Sequence, residues 1–202
     1  MLYCVVNYWV ADYAEGEGGF NLQKTLQDAD AKTIVELFDF ELNTAQHGET
    51  TVYRFTNTKN ELGNDIVWQG NTYTAIPLQA NGYEATGQGS LPRPTLSVAN
   101  LNGTFTAIIS TLPDGLEGCK VTRTRTLSKY LDAVNFTGGS NSDADPTSYF
   151  RPRDIYFMDR KSMENRNIIS YELCSAFDLA GVRLPKRQIL PDDFPGVGTF
   201  SY

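Results

Sequence analysis

Asp143 and Asp145 stand two apart in the polar stretch Asn141-Ser142-Asp143-Ala144-Asp145, a spacing that a glycosidase-like carboxylate pair or a divalent cation could use. The surroundings argue against both uses. Acids in a loop of Ser, Asn and Gly are ordinarily just solvated. A calcium loop would carry glycine at its sixth position, where Pro146 stands, and a glutamate at its twelfth, which is missing. His47 is the single histidine and lies in the polar residues 44–49, which read as a mobile loop. As the base of a nucleophilic triad it would need a partner such as a Gly-x-Ser-x-Gly elbow, and none is present. One histidine is also too few for most zinc sites.

Gly87-Gln88-Gly89 has half of a dinucleotide fingerprint, but the third glycine is missing and Pro92 and Pro94 stand where a helix should start, so it reads as a turn. Cys4, Cys119 and Cys174 are odd in number and widely spaced. They form neither a disulfide framework nor a C-x-x-C metal signature, and Cys119 and Cys174 are expected to pack as small buried hydrophobes. The residues therefore nominate no catalytic, cofactor-binding or metal-ligating group.

The one local charge cluster is the basic row Lys120, Arg123, Arg125 and Lys129. On a strand, alternation would point Arg123, Arg125 and Lys129 to one side. The chain has a net charge of −7 and a pI near 4.7, so it repels phosphate backbones, and specific nucleic-acid binding is disfavoured. A subunit interface answers the row better, since the acidic remainder supplies complementary charge. Arg93, Arg123 and Arg125 are the candidate inter-subunit contacts. Asn102-Gly103-Thr104 and Asn135-Phe136-Thr137 fit the glycosylation triplet, but residues 2–11 make a poor signal peptide, lacking a basic leader and broken by Asn7. The triplets are read as chance matches. No stretch approaches the ~20 apolar residues of a bilayer span, and the chain is expected to stay soluble in a host cytoplasm during assembly.

The elements that would position these residues are mostly strands. Tyr and Phe each number 11 in 202 residues, and Thr- and Val-rich stretches suit a pleated surface. Residues 21–31 carry a capped helix with Leu22 and Leu26 on one face. Residues 33–42 form a strand mostly buried on one face, with Ile34, Phe38, Phe40 and Leu42 on one side and Val35 and Leu37 on the other. Residues 50–56 make a second strand. Residues 66–68 and 72–76 make a hairpin about Gln69-Gly70-Asn71 with a Gly-Asn reversal. Pro77 limits the next segment to an edge or a loop. Residues 93–98 form a strand, residues 104–112 a short helix that stops before Pro113, and residues 137–148 a loop. Residues 154–158 and 168–177 flank a polar reversal at 159–167.

Four blocks go further. Trp68-Gln69-Gly70-Asn71-Thr72-Tyr73 with Pro77, then Gly87-Gln88-Gly89-Ser90-Leu91-Pro92-Arg93-Pro94-Thr95-Leu96-Ser97-Val98-Ala99-Asn100, stand in order. Leu131-Asp132-Ala133-Val134-Asn135-Phe136 and Asn141-Ser142-Asp143-Ala144-Asp145-Pro146 come after them. In order and spacing these resemble the phage minor tail protein L family of lambda-like siphophages, over about residues 21–187. The resemblance implies a mainly β, barrel- or sandwich-like tail hub domain with one or two short helices, over residues 20–187. It implies a structural protein of the virion tail tip, not an enzyme, in a homotrimeric ring between the distal tail and tube proteins and the central hub or receptor-binding protein. Roles in initiating tail assembly and in passive passage of ejected DNA come with it.

Two departures from that family pattern stand out. Residues 1–19 precede the family's usual start and read as an extension that is not native. Residues 188–202 form an irregular tail where the family continues into a cysteine-rich iron–sulfur domain, so no cofactor is expected here. An upstream start and a shortened prophage gene would explain both. The rival reading is a carbohydrate-binding β-sandwich of a phage adhesin, using exposed Tyr83, Tyr149 and Tyr156. A hydrolase acting through Asp143, Asp145 or His47 ranks last.

Overall fold

Both faces of the strand Ile34–Glu41 (β1) are apolar, and this decides the architecture. A computed structural model describes residues 25–27, 33–84, 91–100, 103–112, 115–176, 178 and 190. Within them lie β2 (Val52–Thr56), β3 (Ile66–Trp68), β4 (Asn71–Ala75), β5 (Leu78–Asn81), β6 (Thr95–Ala99), β7 (Lys120–Leu127), β8 (Asp154–Glu164) and β9 (Ile168–Cys174). Two short α-helices, α1 (Thr44–His47) and α2 (Thr104–Thr111), and the 3-10 turns Ser128–Tyr130 and Ala133–Asn135 complete the described elements. The strands form one sheet in the order β3-β4-β2-β1-β7-β8-β9-β6-β5. Every neighbouring pair is antiparallel except β2 with β4.

The inner face carries the larger core. Phe38 and Phe40 of β1, Phe55 of β2, Leu96 and Val98 of β6, Val121 of β7, Met158 of β8 and Tyr171 of β9 belong to one buried cluster, closed by Phe105 of α2. Strands far apart in the order can share one core only if the sheet curls. A single bent segment holds the curl: β4 pairs with β2, and β5 pairs with β6, with only Ile76 and Pro77 between them. The Ile76 N–H donates to Thr56 O at 2.9 Å, and Pro77 O accepts from the Ala99 N–H at 2.9 Å. No ladder joins β2 directly to β5 or β6, so the sheet is nearly annular and is not a closed barrel. The mainly β expectation with two short helices holds, and β5 is an edge strand as Pro77 required.

The outer face of β1 has its own cover. Val35 and Leu37 pack with Ile66, Trp68, Tyr73 and Leu131, with Phe136 and Tyr149 against them. The expectation of a strand buried mostly on one face is thus corrected: Val35, Leu37, Phe38 and Phe40 are all buried, while Ile34 at the strand's start is 48% exposed. β8 is also longer than expected. It runs through Glu164, most of the polar stretch read as a reversal, and the turn is confined to residues 165–167. Asp159 and Ser162 are bulged out of its register with β9. Residues 44–47 form a helical turn rather than a mobile loop. Residues 1–19, most of the helix expected at 21–31, the Gly87-Gln88-Gly89 turn, and the boundaries at 19/20 and 187/188 lie outside the described residues.

Candidate functional site

The turn between β3 and β4 has two central residues, Gln69 and Gly70, with φ of 52° and 72°. A two-residue hairpin with both φ values positive matches the right-handed twist of its strands. The residue types alone had suggested a Gly-Asn reversal, one position later. The turn is held from outside by Asp132, whose carboxylate accepts from Gln69 N–H at 3.2 Å and Gly70 N–H at 2.8 Å. Three residues on, the Asn135 amide accepts from Val67 N–H at 2.8 Å and donates to Val67 O at 2.6 Å. It occupies the free edge of β3 as a neighbouring strand would, and so blunts that edge. Gln69 Nε2 donates to Pro146 O at 2.7 Å, and Asn141 Nδ2 donates to Lys129 O and Leu131 O at 2.8 and 2.7 Å.

Three of the four blocks singled out in the sequence therefore meet in one clip. It fastens the β3–β4 hairpin and residues 131–146 over Val35 and Leu37. Asp132 and Gln69 were missed as individual residues, and Asn135 was noted only in a glycosylation triplet read as a chance match. Their signal was present as polar groups set between Leu131, Phe136 and Trp68. Asn135 is 1% exposed and its amide is fully engaged, which removes it as a glycan acceptor.

A second polar cluster sits at one end of the inner core. Arg123 is paired with Glu36 and, at 3.5 Å, with Asp154; its side chain is 11% exposed. Its guanidinium lies 4.3 Å from the Tyr83 ring centroid, and Tyr83 meets Tyr156 edge-on at 5.4 Å. Arg125 reaches Asp154 at 3.9 Å and covers the Phe150 ring at 5.5 Å. Burial pushes the Asp154 carboxyl above its ordinary range, with Arg125 and Arg123 acting the other way. A cavity of ≈350 Å³ opens here, lined in part by Asn81, Tyr83, Glu84, Arg123, Arg125 and Asp154. Opposite charges cancel within it.

The structure brings Arg123 and Arg125 together but places Arg93 with other partners, Asp159 and Asp178. Lys129 leaves the row, because β7 ends at Leu127 and Lys129 lies over Tyr130 in the following 3-10 turn. Lys120 pairs with Glu41 at 2.9 Å. Tyr83 and Tyr149 are engaged inside the protein, Tyr149 meeting Trp68 edge-on at 6.0 Å.

His47 is 3% exposed. Its Nε2 lies 3.0 Å from Glu117 O, and its Nδ1 lies 3.0 Å from the Asn43 backbone N, a geometry in which Nε2–H donates and Nδ1 accepts. Asp145 accepts from Thr147 N–H, Thr147 Oγ1 and Ser148 Oγ at 2.9, 2.7 and 2.6 Å. Asp145 and Asn141 both serve the loop's own geometry. Cys119 and Cys174 are free and buried. The Cys119 Sγ donates to Glu41 O at 3.3 Å, and burial pushes its thiol up to about 12.

The family model described as phage minor tail protein L matches residues 45–196. The chain belongs to that family. It is also 40% identical over 127 residues to the tail tip protein L of Escherichia phage lambda, covering 61% of this chain and 53% of that relative. The chain thus spans about half the length of the curated relative it matches. As a minor tail protein L family member it has a structural role in a phage tail. No helix among the described residues is long and apolar enough to cross a membrane. The clip fixes a loop and fills the edge of β3, and the ion-paired end sets Arg123 and Arg125 against Glu36 and Asp154.

Proposed function

We propose that this chain forms part of a ring, a homotrimer, at the distal tip of a siphophage tail, between the distal tail and tube proteins and the central hub or receptor-binding protein. In that place it takes part in initiating tail assembly and flanks the path of ejected DNA. Its work there is mechanical rather than enzymatic. The observation that carries this reading is the nearly annular sheet with both faces of β1 buried, a stiff body that can be set against copies of itself with little ordering cost. The net charge of −7 supports passage of DNA without adhesion.

Arg93, Arg123 and Arg125 enter as inter-subunit contacts in two ways. Arg93 and Arg125, 53% and 38% exposed, keep part of their surface open to a neighbour beside the carboxylates they pair with in this chain. Arg123, 11% exposed, holds Asp154 in place beside Arg125. Negative-stain microscopy of the purified chain, alone and mixed with its neighbouring tail proteins, tests the proposal. Discs with a central hole are expected. Lone globules in every mixture would overturn it, and glycan binding by those globules would favour the adhesin reading.

A further inference from the structure

The β8–β9 hairpin carries an unpaired cation at its tip. Asn165 ties the turn: its N–H donates to Ile168 O at 3.0 Å, and its side-chain oxygen accepts from the Asn167 and Ile168 N–H groups at 2.9 and 2.7 Å. Arg166 stands on that fixed turn, exposed and in no ion pair among the described residues. Met163 and Ile168, 54% and 43% exposed, flank it, and alternation puts both on the outer face, Met163 opposite Ser170. The tip is thus a knob, a guanidinium with apolar shoulders.

The base of the same hairpin walls a cavity of ≈530 Å³. Ile109 of α2, Leu116, Met158 and Tyr171 give it apolar sides, and the exposed Glu117 and Asp159 stand at its mouth. Asp159 shares a wall with its neighbour Met158 because it is bulged out of register with β9; regular alternation would turn it to the opposite face. Tyr171 is 1% exposed, yet its hydroxyl has no hydrogen-bond partner among the described residues. Burial, then the Glu164 and Glu117 carboxylates, push that phenol up, so it stays a neutral hydroxyl with lone pairs to offer. Glu117 is in no ion pair among the described residues, and Asp159 meets Arg93 only at 3.8 Å. An apolar hollow with two carboxylates at its mouth suits a side chain that has an aliphatic stem and a cationic head.

We propose that the β8–β9 tip of one copy of this chain docks at this cavity in the next copy, with Arg166 set between Glu117 and Asp159 of its neighbour. The chain cannot fill the cavity with its own tip. From Lys161 on the cavity wall to the turn is roughly 13 Å of strand, farther than an arginine side chain spans. Docking would give Arg166 the carboxylates it lacks, bring Glu117 a cation, and cover Met163 and Ile168 from water. Knob and hollow are different surfaces of one chain, so the contact is head-to-tail, the kind that closes into rings. The inference names an interface for the ring reading and rests on it.

Sedimentation of the full 202-residue chain, alone and in discs formed with its tail neighbours, tests it. Arg166→Glu and Glu117→Arg, each at an exposed position and each with unchanged circular dichroism, should weaken association at least about tenfold. Both reversals in one chain should restore it to within about threefold, because every contact regains an opposite pair. Tyr171→Phe, which removes only the hydroxyl, should also weaken it, and so separates seating in the cavity from attraction between surfaces. Undiminished association of Arg166→Glu, no recovery in the double reversal, or indifference to Tyr171→Phe would overturn the proposal. So would loss in Glu117→Arg but not in Arg166→Glu, which would give the cavity to a cation of another protein. Should Arg166→Glu build discs as well as the unmodified chain does, this contact falls and the ring reading stands. Should the unmodified chain neither associate nor form discs, both fall.

Discussion

The side-chain amide of Asn135 is bonded to both the N–H and the C=O of Val67, at 2.8 and 2.6 Å, across 68 residues of sequence. One side chain here takes the place of a strand. Asn135→Ala should leave both backbone groups of Val67 unpaired and cost about 2–3 kcal/mol. Urea unfolding measures it. A loss below ~0.5 kcal/mol would mean that water replaces the amide without penalty. Faster aggregation should accompany the loss, because the edge of β3 is uncovered.

Arg123 neutralises two carboxylates from different strands, Glu36 and Asp154. Arg123→Met should destabilise by about 3 kcal/mol, since truncating one partner strands the others in a poorly solvated place. The triple variant Glu36→Gln/Arg123→Met/Asp154→Asn should recover most of that loss. Equal destabilisation in the single and triple variants would show that the aliphatic stem and its stacking on Tyr83 matter rather than charge.

Gly70 separates backbone strain from steric crowding. At φ 72° nothing lies within 4 Å of where a Cβ would stand. Gly70→Ala should therefore cost about 1 kcal/mol through conformation alone. A much larger value in thermal unfolding would point to a displaced Asp132 cap.

Asp39 and Asp154 are both raised above the ordinary carboxylate value of 3.8, burial being the largest cause for each. A carboxyl raised on folding binds more protons in the native than in the unfolded chain. Its contribution to stability is therefore present below 3.8 and is lost as pH rises through the higher native value. The contribution of these two groups should fall as pH increases across that window, and Asp39→Asn/Asp154→Asn should flatten it. Denaturant titrations of both proteins at a series of pH values check the sign. An unchanged slope in the double variant would refute the assignment.

Cys119 should resist alkylation. Its thiol is buried and pushed up to about 12, so almost no thiolate exists at pH 8 in the native protein. Iodoacetamide treatment with subsequent peptide mass mapping should label Cys119 only after denaturant is added. Native labelling at the rate of a free thiol would mean the strand ends at Glu41 and Lys120 open readily.

What could be read in advance was what alternation or turn chemistry encodes. β2, β6 and α2 fall close to their expected places because Val, Phe and Leu mark their buried sides and Pro113 marks the stop. β8 escaped beyond Met158 because residues 159–164 are exposed, so no apolar period distinguishes strand from turn. The burial of His47 escaped because its partner is the backbone of Glu117, 70 residues away, which no local pattern announces. In the clip, Asp132 and Asn135 are residue types that also serve chemistry, and only the fold reveals that they hold backbone instead.

Ile76-Pro77 acts as the buckle of a hoop. One uninterrupted length of chain grips β2 before it and β6 after it, so the two rims of the curled wall cannot drift apart independently. A pull along that chain would load the parallel β2–β4 bonds in shear rather than peel them singly. A protease cut at that one peptide would free the β4 side and the β5 side from each other, leaving β2 and β6 joined only the long way round the sheet.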